Sequence, residues 1–326
     1  MCKLSIIIPI YKVEDYIERC ATSLFLQTLS DVEYIFINDK TPDKSMDVLD
    51  RVISKFPHLS DSIHIIEHSE NKGLAATRIT GLQFSQGEYV AFCDSDDWID
   101  PEMYVQLYKT ATDENADMVY CNYIAEHLSK TIRVDIPKVT NIKDYINSLL
   151  LGTIPSFSCL RIFKRELLSD HIFELYQVGV DMWEDVLMNI RLYPYLKRIA
   201  YNPIAGYHYN QCNGNAYTAI WSNKSLSNIQ DVLRLVIQTI DKDESLQFPL
   251  SCFKIGTYYS ILSHTSLIDL INTDCLISRQ DMITIWKHPA MPFHNKLFLF
   301  LLGFRMNRTA FYYLKLKRAI KTNLQK

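Results

Sequence analysis

No apolar run in this chain reaches the roughly 20 positions that a membrane-spanning helix needs. The longest dense stretch, LFLFLLGF at 297–304, stops far short. No Cys-x-x-Cys and no tight cluster occurs among the eight cysteines, so a reducing cytosol fits their scatter. The opening MCKLSIIIPIY enters a strand too quickly for a signal peptide, and a cytoplasmic protein is expected. No large charge excess exists either, and a formal net charge of −3 gives no reason to expect nucleic acid. Carboxylates are missing altogether after Asp281, whereas nine lysines and arginines follow it. No internal repeat or low-complexity linker divides the 326 residues, a length that suits one large domain or two unequal ones.

What is present first is alternation. LSIIIPI (4–10), EYIFIND (33–39), SIHIIEH (62–68), EYVAFCD (88–94) and DMVYCNYIA (117–125) read as buried strands. Amphipathic segments near 14–26, 43–55, 74–85 and 101–112 read as the helices between them. Such alternation predicts an α/β fold, a mostly parallel Rossmann-like sheet with helices on both faces. Ligands of such sheets bind beyond the carboxyl ends of the strands. From 126 to 215 the spacing predicts short strands, helices near 141–151, 163–168 and 185–196, and a strand at 198–210. Beyond about 220 it predicts helices near 222–241, 250–271, 279–287 and 308–323. The expected organisation is therefore a domain over 1–215, divided near 125, and a helical C-terminal region over 216–326.

AFCDSDDWIDP (91–101) places Asp94, Asp96, Asp97 and Asp100 within seven positions at a strand's end. Carboxylates so close repel one another unless a cation binds them, and oxygen ligands suit Mg²⁺ or Mn²⁺. The competing reading is turn and cap chemistry: Asp97 or Asp100 could cap a helix beginning near Pro101, and Asp100 suits that role better than a ligand's. Trp98 reads as packing.

The runs SIIIPIYKVEDYIERCATSLFLQTLSDVEYIFINDKTPDKS, ENKGLAATRITGL and GEYVAFCDSDDWIDP together resemble the family 2 glycosyltransferases, inverting enzymes of GT-A fold. MWEDVLMNIRLYPYLKRIAYNPIAGYHYN (182–210) resembles their acceptor-side portion more weakly. The resemblance implies transfer of a sugar, UDP-linked by expectation, from a nucleotide diphosphate to a saccharide or lipid-linked saccharide, with Mn²⁺ or Mg²⁺ as cofactor. It implies a nucleotide-sugar half over about 1–125 and an acceptor half over about 126–215. Pro9, Tyr11 and Glu14 match the first donor loop, Asp39 the nucleotide-recognising carboxylate, and Asp94, Ser95 and Asp96 the DxD triplet. Asp185 matches the catalytic base of the ED pair, with Glu184 beside it. Lys72 and Arg78 are candidate cations for the leaving diphosphate, against a surface role for each. His208 either completes the metal shell, touches phosphate, or is a satisfied rim histidine.

Two departures stand out. Relatives read DDGS after the second strand, where this chain has Asn38, Asp39, Lys40 and Thr41, so a differently shaped loop is expected without the glycine. PIYKVEDY also lacks the glycine-rich basic loop that a nucleotidyltransferase would carry. A non-catalytic sugar-nucleotide or polysaccharide-binding protein on a lapsed transferase fold is the remaining rival, and intact Asp39, Asp94, Asp96 and Asp185 argue against it. The acid-free C-terminus combines basic residues with Phe293, Phe300, Phe304 and Tyr312, among others, which suits either peripheral contact with an anionic membrane, on its inner face, or packing within the protein.

Overall fold

The computed structural model describes residues 2–214, 221–264 and 277–324. They form two compact units, Met1–Tyr145 with Pro155–Ile220, and Ile146–Ile154 with Trp221–Lys326. The boundary expected at 215/216 lies outside the described residues.

The first unit is built on one sheet. Its elements run β1 (Leu4–Ile10), α1 (Ile17–Phe25), β2 (Val32–Asn38), α2 (Ser45–Ile53), β3 (Ile63–Glu67), α3 (Leu74–Phe84) and β4 (Tyr89–Phe92). There follow β5 (Trp98–Ile99), α4 (Met103–Asp113), β6 (Met118–His127), β7 (Lys130–Val134), the start of α5 (Ile142–Leu151), which from Ile146 belongs to the second unit, β8 (Arg161–Lys164), α6 (Arg165–Ser169), α7 (Ile172–Leu175), α8 (Glu184–Leu192) and β9 (Ile199–Asn210). Strand order is β3-β2-β1-β4-β8-β6-β9-β5, with β7 on β6. The continuous apolar runs of β1, β2 and β4 are buried because helices cover both faces of a parallel sheet.

The parallel character holds among β1 to β4 and between β6 and β9, whereas β8 pairs antiparallel with both β4 and β6. Insertion of that short reversed strand makes the sheet mixed. From β1 the chain moves outward to β2 and β3, then returns with β4 on the other side of β1. The strand order thus switches direction between β1 and β4, and a crevice opens there at the carboxyl ends. β1 runs on three residues past its last pair with β4, Ile7 with Phe92, so Pro9 stands where the two strands part.

The second unit is helical: α9 (Asn223–Ile240), α10 (Gln247–His264), α11 (Arg279–Lys287), α12 (Phe293–Gly303) and α13 (Asn307–Leu324). Ser222 caps α9 by accepting from Ser225 N, and Ser278 with Asp281 forms a reciprocal capping box on α11. Ile255, Ile285, Phe298, Leu299, Leu302 and Leu314 pack into its core. The helix expected at 250–271 begins at Gln247 and is described to His264; its remainder lies outside the described residues. α12 was not expected as a helix. FHNKLFLFLLG is apolar on nearly every side, which hides the 3.6-residue period that betrays an amphipathic helix.

Candidate active site

The loops leaving β1 and β2 are joined. Lys12 N donates to Thr41 Oγ1 (2.8 Å), Val13 N to Ser45 Oγ (3.0 Å), Glu14 N to Asp43 Oδ2 (3.1 Å), and Lys44 N to Glu14 Oε2 (2.9 Å). Glu14 is thus a strut between two loops, while Tyr11 is exposed at their crest. A polar cleft of about 250 Å³ lies against Lys12, Glu14, Asp15, Tyr16, Pro42 and Asp43.

Asp39 is buried, and its carboxylate accepts from Lys72 N (2.8 Å) and Gly73 N (2.9 Å) and bonds His68 Nδ1 at 2.7 Å. It therefore ties the loop after β3 to the end of β2. Lys72 contributes its backbone N–H here, and its side chain is exposed. Gly73 has φ +89°, and a Cβ there would lie 2.5 Å from Asp181 Oδ1, so both conformation and space require glycine. The loop after β2 holds a left-handed residue without a glycine. Lys40 takes φ +55°, in the left-handed region that a glycine at that position reaches freely, so loss of the glycine has not removed that conformation.

The acidic cluster lies across the crevice, after β4. Asp94 is partly exposed, and its backbone N–H donates to Tyr207 Oη at 3.2 Å. Asp96 accepts from Asn213 Nδ2 at 2.8 Å. Asp97 is buried and accepts from Tyr207 Oη (2.6 Å) and Asn210 N (2.7 Å). Burial, then repulsion from its neighbouring carboxylates, pushes both Asp96 and Asp97 above the usual range. Ser95, which separates Asp94 from Asp96 in sequence, is buried. Asp94, Asp97 and Cys159 can each bring a ligand atom within 4.8 Å of the others. Burial keeps the Cys159 thiol protonated, which leaves an oxygen donor set. An oxygen donor set fits a hard divalent ion rather than a soft one.

His208 does not join this group. Antiparallel pairing of β9 with β5 sets it opposite Trp98, on which it stacks at 4.9 Å, and its nitrogens bond Glu126 (2.8 Å) and Asp100 (3.2 Å). Asp100 in turn is no cap. The N-cap of α4 is Glu102, which makes no side-chain cap bond, and the Asp100 carboxylate serves His208 instead.

Arg78 is buried on α3 and bridges two motifs distant in sequence. Nη1 donates to Glu184 Oε1 at 2.6 Å and Nη2 to Asp94 Oδ1 at 3.2 Å. Burial opposes its charge, but Glu184 and Asp94 outweigh that and hold it protonated. A guanidinium so enclosed positions carboxylates; it does not stand free for a diphosphate. Trp183 adopts φ +64° just before α8, and this turn delivers Glu184 and Asp185 into the helix's first turn. Asp185 accepts from Val186 N at 2.7 Å. Burial lifts its pKa to about 6, against the pull of Arg78, the Val186 N–H and Arg161.

Arg161 was overlooked in the sequence. It is the largest fully buried side chain, donating to Tyr145 Oη (2.8 Å), Phe157 O (2.5 Å) and Pro155 O (2.5 Å). Asn189 Nδ2 donates to Asp185 O (2.8 Å) and Ser156 O (2.9 Å). The segment 155–157 and the start of α8 are thereby fixed to one scaffold. An arginine amid the apolar run SCLRIF was the available signal.

Comparison with known proteins bears on this arrangement. A family profile described as Glycosyl transferase family 2 matches residues 5–172. EpsH of Bacillus subtilis (strain 168), a glycosyltransferase by name, is 32% identical over 212 residues, 63% of this chain and 60% of that protein, so the match spans less than two thirds of its relative. Among solved structures, S. aureus TarS 1-349 in complex with UDP-GlcNAc matches with TM-score 0.68 at 16% identity, over 97% of this chain and 92% of that one. Mannosyltransferase PcManGT from Pyrobaculum calidifontis, in complex with GDP-Man and Mn²⁺, matches with TM-score 0.53 at 15% identity, over 94% and 85%. At these identities the structural likenesses speak to the fold.

Proposed function

Because the chain belongs to the family 2 glycosyltransferases and has the α/β GT-A fold followed by helices, we propose that it transfers a sugar, with inversion, from a nucleotide diphosphate sugar to a hydroxyl of a saccharide or lipid-linked saccharide in surface polysaccharide synthesis. The observation that carries the reading is the Arg78 bridge, which joins the acidic cluster at the β1/β4 crevice to the helix that bears Asp185. Asp94 and Asp96 would hold the Mn²⁺ or Mg²⁺, with Asp97, which the structure groups with Asp94, as a further carboxylate. That ion, when bound, offsets charge developing on the diphosphate as it departs. Asp185 takes the acceptor's proton while the hydroxyl oxygen attacks the anomeric carbon from the face opposite the leaving group. A base with a pKa near 6 is ionised at neutral pH and still able to hold a proton.

Tyr11, Pro9 and the loop braced by Glu14 form the donor side of this site, with Asp39 fixing the turn beside it. A uridine nucleotide is the proposed donor, in line with the UDP-GlcNAc bound by the TarS neighbour. We place the reaction in the cytoplasm. A thermal-shift panel of UDP- and GDP-sugars, with and without Mn²⁺, tests donor binding: a UDP-sugar should raise the midpoint only with metal. A midpoint unmoved by every nucleotide sugar would refute the reading.

A further inference from the structure

The second unit exposes apolar rings that its core leaves out. Phe298, Leu299 and Leu302 of α12 are buried, but Phe293 is 67% exposed, Phe304 60%, Trp286 44% and Ile283 50%. The rings form a chain: Phe293 to Trp286 at 6.1 Å, Trp286 to Phe300 at 5.4 Å, and Phe300 to Phe304 at 4.7 Å between centroids. Two of these residues are followed directly by an exposed cation, Trp286 by Lys287 and Phe304 by Arg305. Lys296 reaches the same place, its Nζ donating to Trp286 O at 3.0 Å. No carboxylate lies between 282 and 326. Among the described residues, no helix is long and apolar enough to cross a membrane.

We propose that this face of α11 and α12, centred on Trp286, Phe293 and Phe304, docks the chain on the surface of an anionic lipid bilayer. Large rings flanked by cations suit the boundary between headgroups and acyl chains, where the ring is buried and the charge meets lipid phosphate. The charge pattern selects lipid over a second copy of the chain. A two-fold contact would lay this face on itself. Lys287 and Arg305 would then meet cations without a carboxylate from 282–326 to answer them. The rings lie on the surface rather than through it, so attachment is reversible and depends on charge. Docking requires nothing of the catalytic site.

Flotation of the full chain with phosphatidylcholine vesicles, and with vesicles carrying about 30% phosphatidylglycerol, tests the assignment. The chain should float with the anionic vesicles and bind neutral ones about tenfold less. Raising salt from about 0.1 M to about 1 M, which shortens screening from about 10 Å to about 3 Å, should release it. Trp286→Ala with Phe293→Ala and Phe304→Ala should weaken flotation about tenfold or more. Because these side chains are exposed, the circular dichroism and thermal midpoint should stay native. Lys287→Glu with Arg305→Glu should act likewise without touching a ring. Failure to float with anionic vesicles, or flotation that both variants leave intact, overturns the proposal. A dimer in light scattering that the ring substitutions dissolve, without flotation, assigns the face to a second copy and also overturns it.

Discussion

Two residues, one by its backbone and one by its side chain, show what single positions contribute. Lys40 holds φ +55° where a glycine would rest without strain. A left-handed non-glycine residue costs about 1–2 kcal/mol, of which glycine's larger unfolded-state entropy offsets a part. Lys40→Gly should therefore stabilise the chain by roughly 0.5–1 kcal/mol in urea unfolding. A loss of stability would show that the lysine side chain contributes more than its backbone costs. At Asp185 the prediction concerns chemistry. Asp185→Asn retains an oxygen for the Val186 N–H but cannot take a proton, so turnover should fall roughly 10²–10⁴-fold with nucleotide affinity unchanged. The native enzyme must have this group ionised, so its rate should rise with pH through about 6 and the variant should lose that limb. An unaltered pH profile in the variant would reduce Asp185 to a helix-start residue.

At the scale of elements, the site depends on α3 and α8 being tied together. Arg78→Met would leave Glu184 buried with no cation at 2.6 Å and Asp94 without its partner at 3.2 Å. Breaking a buried pair in this way costs about 3–5 kcal/mol, which a urea midpoint would register. A cost near zero would mean that the bridge is incidental. Arg78 also shows why part of the site was illegible. Its position in ENKGLAATRITGL left it either a cation for the diphosphate or a surface arginine, and only the approach of α8 to α3 buries it between two carboxylates. His208 takes the rim-histidine alternative rather than the metal or phosphate one, and the sequence could not choose between them for a related reason. Nothing in GYHYN tells which strand it will oppose, and the register that sets it on Trp98 joins residues 110 positions apart. β1, β2 and β4 were legible because each is a buried, nearly continuous apolar run, whereas β3, expected as a buried strand, is the sheet's edge and leaves His64, Ile65 and Glu67 exposed. β5 and β8, of two and four residues, are too short to show a period.

For the whole molecule, α12 illustrates the limit of patterning from the other side. Its apolar run was visible as composition and invisible as a helix, because Phe298 and Leu299 face a core while Phe293 and Phe304 do not. The acidic cluster, by contrast, was plain in sequence as a group of carboxylates at a strand's end, and the structure groups Asp97 with Asp94 while His208 stays apart. The proposed chemistry is metal-dependent transfer at that cluster with Asp185 as base. Its most direct test is release of nucleoside diphosphate from nucleotide sugars by the native chain, Asp96→Ala and Asp185→Asn, with and without Mn²⁺. The native chain should consume a UDP-sugar only with metal, and both variants should fall at least a hundredfold, roughly the lower bound for loss of a catalytic base. Native turnover indifferent to metal, or turnover retained by Asp96→Ala, would contradict it.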